Sequence, residues 1–99
     1  MRVVWLARAR IERQKAIDYI ARDSPQAALG QLEEIERQTD KLFDFPEIGR
    51  PGRKRGTREL VITGTPFLAV YRIRAKAEVQ ILRLLHGAQR WPPRKRRDR

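Results

Sequence analysis

Five cationic side chains, Arg50, Arg53, Lys54, Arg55 and Arg58, crowd into positions 50 to 58 of a 99-residue chain. Guanidinium forks match the oxygens of phosphates and carboxylates two at a time, so the cluster is suited to gripping an anionic target or nucleic acid. Arg72, Arg83 and Arg90 follow at wider spacing, and His86 is the only histidine. Its imidazole has the one ordinary side-chain pKa close to neutrality, which makes His86 the candidate proton carrier if the protein does acid–base chemistry. Structural readings stand beside these: a histidine ending a strand as a hydrogen-bonded structural residue, and Arg72 and Arg83 as solvated arginines with buried stems.

Residue supply excludes other chemistries. The chain has no cysteine, which removes disulfides, thiolate metal sites and thiol nucleophiles together. Ser24 is the only serine, so a Ser-His-Asp triad would have to use Ser24 with His86. Ser24 stands directly before Pro25 at a helix start, where its hydroxyl is needed to cap a backbone N–H. Zinc and non-haem iron sites draw on several His or Cys ligands, and no carboxylate cluster suggests magnesium. No cofactor and no metal are expected.

Charge is strongly polarised along the chain. Twenty-three Lys and Arg oppose twelve Asp and Glu, a net charge of +11. Residues 1 to 47 hold eight basic and nine acidic groups; residues 48 to 99 hold fifteen and three. The surface that meets a partner is therefore expected in the second half. No apolar run approaches the ~20 residues of a membrane span. Arg2, Arg8 and Arg10 interrupt any secretory h-region. A cytoplasmic chain without membrane contact is expected.

These groups need a frame to position them. Val3 to Leu6 read as a short strand, and a helix follows from Ala7 to Arg22. At 100° per residue, Ala9, Ala16, Ile17 and Ile20 share an arc, with Arg13 inside it and Ile11 opposite. From Pro25, the spacing of Ala28, Leu32, Ile35, Thr39 and Leu42 predicts a second, amphipathic helix that ends near Asp44, ahead of Pro46. The segment PEIGRPGRKRG (46 to 56) predicts a basic surface loop without regular structure. Arg58 to Thr63, Phe67 to Arg74 and Glu78 to His86 predict three hairpin-linked strands. Period-two alternation sets Phe67, Ala69, Tyr71 and Ile73 against Leu68, Val70, Arg72 and Arg74. In the last strand it sets Gln80, Leu82, Leu84 and His86 against Val79, Ile81, Arg83 and Leu85. Trp91 reads as an apolar clamp. The class is α+β, a small, largely antiparallel sheet with two helices packed on one face. Residues 1 to 91 form a single domain, and the charged 92 to 99 (PPRKRRDR) a disordered basic tail.

YIARDSPQAA (19 to 28), GRPGRKRGTREL (49 to 60), TPFLAVYRI (65 to 73) and ILRLLHGAQRWP (81 to 92), in this order, closely resemble the RelE/ParE superfamily of bacterial toxins. The resemblance covers nearly all of the chain except the tail. It implies a β-α-α-β-β-β toxin of a type II toxin–antitoxin module, held inactive by a cognate antitoxin, with operator DNA reached only through that antitoxin. Two activities occur in the superfamily: RelE-like members cut mRNA on the ribosome without metal, and ParE-like members poison DNA gyrase.

Metal-free RNA cleavage needs the ribose 2′-hydroxyl to attack its own phosphate, with a proton acceptor, a proton donor and cations around the phosphorane. RelE-like nucleases carry an arginine on the strand occupied here by Phe67 to Arg74, and Leu68 stands in that place. His86 matches a histidine of some nuclease branches, but Gly87 replaces the tyrosine that follows it in one of them. Where many relatives read HGAR, this chain has Gln89, with Arg90 one residue later. GTREL and HGA-x-x-WP favour the ParE-like branch, with Arg50, Arg53, Lys54, Arg55, Arg58 and Arg90 as the target or nucleic-acid contacts. The alternative is a ribosome-dependent endoribonuclease that uses His86, Arg72 and Arg90. A third reading is a basic nucleic-acid-binding module without toxicity.

Overall fold

The computed structural model describes residues 2–75, 77–87 and 91. Arg90 and the segment 92–99 lie outside the described residues. The order of elements is β1 (Arg2–Trp5), α1 (Ala7–Ala21), α2 (Pro25–Asp40), a 3-10 turn (Lys41–Phe43), β2 (Arg50–Pro51), β3 (Arg58–Val61), β4 (Phe67–Arg74) and β5 (Glu78–His86). The strands form one sheet in the order β1-β5-β4-β3-β2, with β1 parallel to β5 and every other pairing antiparallel.

Local chemistry explains both helices. Ser24 accepts the Ala27 N–H at 3.1 Å and Pro25 opens α2, so a free donor is capped and none is wasted. The stripe of Ala28, Ile35, Thr39 and Leu42 is buried as its spacing predicts. α1 starts at Leu6 without a side-chain cap. Its misplaced Arg13 is accounted for by a partner, because the guanidinium lies 4.4 Å from the centroid of Trp5. Ile11, on the opposite arc, is exposed.

Both helices cover one face of the sheet. Ala9, Ile35, Leu42 and Ile62 pack there on Phe67, Ala69, Tyr71, Val79, Ile81 and Leu84. The other face carries only a smaller cluster, Leu68, Val70, Leu85 and Trp91. Gln38 ties α2 to the β3–β4 turn by donating to the Thr63 carbonyl at 2.8 Å and accepting the Thr63 N–H at 2.9 Å. A buried amide with both ends matched in this way fixes register as well as distance.

Three expectations need correction. The loop 46 to 56 is not free of regular structure: Arg50 and Pro51 pair with Glu59 and Arg58 as a fifth, edge strand, where a proline without N–H is tolerated. The alternation in β5 breaks, because Val70 pairs with Arg83 while Tyr71 pairs with Ile81, which leaves Leu82 as an extra residue. Val79, Ile81 and Leu84 therefore all face the helices, and Leu82 packs with the other cluster. Arg83 is not solvated. It is 6% exposed and paired with Glu12.

Candidate functional site

The helix-free face is bordered by the loop from Pro46 to Thr57, and four anchors give that loop its shape. The Tyr71 hydroxyl donates to the Pro46 carbonyl at 2.7 Å and accepts the Gly49 N–H at 2.9 Å. Gly49 lies so close to that ring that a Cβ would sit 2.6 Å from the Tyr71 oxygen, so glycine is required there. Arg58 Nη1 donates to the carbonyls of Glu47 and Gly49 at 3.2 and 2.8 Å. Gly52 and Thr57 close the hairpin through a 2.7 Å backbone bond, and Gly56 turns it with φ +82°. Burial raises the Tyr71 phenol above its ordinary pKa, against the opposing effect of the Gly49 bond.

The fourth anchor is Glu59, 1% exposed on β3. Its Oε1 accepts Arg50 Nε and Nη2 at 3.2 and 3.0 Å; its Oε2 accepts the Arg53 amide and Nε at 2.9 and 3.0 Å. Burial alone would push this carboxyl up, but the Arg53 amide, the Arg53 guanidinium and Arg50 together hold it below the ordinary carboxylate range. Lys54 Nζ and the Arg83 guanidinium lie 6.0 and 5.2 Å from the ring centroid of Trp91. Arg55 is exposed. Between the loop and the strand ends, Arg50 and Arg53 overlook a hollow of about 330 Å³ floored by Val61, Phe67 and Leu68. Cations above an apolar floor suit an acidic partner surface.

The sequence-predicted residues do not all meet. Arg50, Arg53, Lys54 and Arg55 share the loop, and Arg58 follows at the start of β3, opposite Tyr71. Arg72 lies opposite Gln80 and bonds its side-chain oxygen at 2.8 Å, whereas His86 lies opposite Phe67 at the other end of the hairpin. Five residues of strand, roughly 17 Å, separate them. His86 is also on the helix side of the sheet. It meets Phe67 edge-on at 6.1 Å and lines a cleft of about 440 Å³ with Glu12, Ala16, Tyr19, Ile20 and Leu84. Among the described residues, no group of three His, Cys, Asp or Glu side chains is placed to hold a metal.

Sequence reasoning missed Glu59 and Glu12. A signal for Glu59 existed, since it is the only acidic residue between Glu47 and Glu78. Glu12 gave none, because its hydrogen-bond partners, Arg83 and Leu84, lie more than seventy residues away.

A solved structure described as the chromosomal ParDE TA system from P. aeruginosa superposes with a TM-score of 0.76 at 29% identity, over 87% of this chain and 95% of that one. A protein of Sinorhizobium fredii (strain NBRC 101917 / NGR234) named as a candidate toxin, Y4kP, is 38% identical over 91 residues, 92% of this chain and 93% of its own. Residues 3–91 match the family described as ParE toxin of type II toxin-antitoxin system, parDE. The chain belongs to the ParE toxin family.

Proposed function

We propose that the chain arrests growth by binding and poisoning DNA gyrase, with the loop cations Arg50, Arg53, Lys54, Arg55 and Arg58 as target contacts. The observation that carries this reading is the separation of His86 from those cations. Arg50 and Arg53, gathered by Glu59 on the helix-free face, and His86 on the helix side lie on opposite sides of the sheet, and metal-free RNA cleavage would need them around a single phosphate. Family membership and a rigid cationic border on the helix-free face support a binding protein.

In this reading a cognate antitoxin neutralises the toxin, and an acidic, amphipathic antitoxin segment offsets the charge of +11. The helix-side cleft, lined in part by the exposed Tyr19, offers that segment an apolar seat. Arg90 within the 1–91 domain and the basic segment 92–99 beyond it add cations that raise affinity for polyanions. The deciding test is a purified sample assayed in parallel for inhibition of gyrase supercoiling and for translation-dependent mRNA cleavage. Inhibition without cleavage is expected. Cleavage without inhibition would replace this reading with an endoribonuclease.

A further inference from the structure

A surface that works only by cationic charge would keep its cations unpaired, and this loop does the opposite. Arg50 and Arg53 converge on Glu59, Arg58 is spent on two carbonyls, and Lys54 leans on Trp91. Arg55 makes no ion pair among the described residues. Yet the Arg50 and Arg53 side chains remain 58% and 45% exposed. A guanidinium has five N–H donors, so each arginine is fixed through one edge while the rest of its fork faces solvent.

We propose that Glu59 is the specificity-determining positioning residue of the loop. It withdraws one unit of charge from generic attraction, and it holds two guanidiniums and the Arg53 amide in a single arrangement that a particular acidic surface can match. The benefit is preorganisation: two long side chains do not have to be ordered when the partner arrives. The inference rests on the reading that this loop meets the target.

Glu59→Gln tests it. The amide keeps one acceptor, but its NH2 group would point at N–H donors, so the arginines are released and the net charge rises by one. Retention on immobilised heparin, a shapeless polyanion, is expected to shift to higher salt. Gyrase inhibition is expected to fall tenfold or more. This opposite movement is what a merely structural role would not produce. Unchanged retention, or a parallel fall in both readouts of a folded variant, would overturn the proposal.

Arg53→Gln and Arg55→Gln provide a second arm at exposed positions, with Glu59 itself left in place. They remove the same charge, but Arg55→Gln is expected to cost more heparin retention and Arg53→Gln more inhibition. Equal effects would overturn the proposal. Should the wild-type chain leave gyrase untouched, the target reading fails, and the heparin comparisons still decide whether Glu59 withholds the loop charge.

Discussion

The Glu12 carboxylate on the first helix accepts the backbone N–H of Leu84 on the last strand at 2.9 Å. β1 pairs with β5 only as far as Ile81, so the edge beyond it would be open. Glu12 closes that edge. Its second oxygen takes Arg83 Nη2 at 2.7 Å and Nε at 2.8 Å, which accounts for a buried arginine on a strand. A side chain thus does the work of a missing strand, and it prevents unwanted pairing there.

Glu12→Ala is therefore expected to cost about 3 kcal/mol, because it strands a buried guanidinium and an edge amide together. Urea unfolding should show the midpoint falling. An additional Arg83→Met substitution should recover part of the loss.

Stability should also fall in acid. The carboxyl of Glu59 is held below its ordinary 4.5, and that of Glu34 is drawn down to about 2 by Arg37 and Gln38. Groups with depressed values stabilise the fold above their unfolded pKa and lose that contribution as pH falls through the folded one. The urea midpoint is expected to drop from about pH 4.5 downward, and less steeply in Glu59→Gln. Identical slopes would show that the loop pair contributes nothing to folding.

Ala77, in the β4–β5 turn, has φ 74°, a left-handed conformation that favours glycine. Ala77→Gly is expected to gain up to ~1 kcal/mol and raise the thermal midpoint by several degrees.

His86→Ala should leave growth arrest intact, whereas Arg53, Lys54 and Arg55 changed together to alanine should weaken target binding. Growth curves after induction compare them directly. Loss of toxicity in a folded His86→Ala protein would favour the nuclease reading.

Much of the frame was legible because it depends on local chemistry. The Ser24–Pro25 start, the α2 stripe and the faces of β4 follow from capping and periodicity, and all appear in the structure. What escaped depends on contacts distant in sequence. The bulge at Leu82 turned Leu84 toward the helices, and period-two counting cannot foresee an extra residue. β2 was hidden because its pairing rests on Glu59 across the hairpin rather than on its own composition. The basic cluster was visible as composition, but which of its charges are already neutralised could be seen only once Glu59 was located.

The sheet order has one more consequence, for synthesis. Strand β1 leaves the ribosome more than seventy residues ahead of β5, yet each is the other's neighbour. The main core also takes three of its members, Val79, Ile81 and Leu84, from β5. Nascent chains that stall before residue 78 cannot complete this sheet. The sheet and its main core therefore close only after β5 has been made.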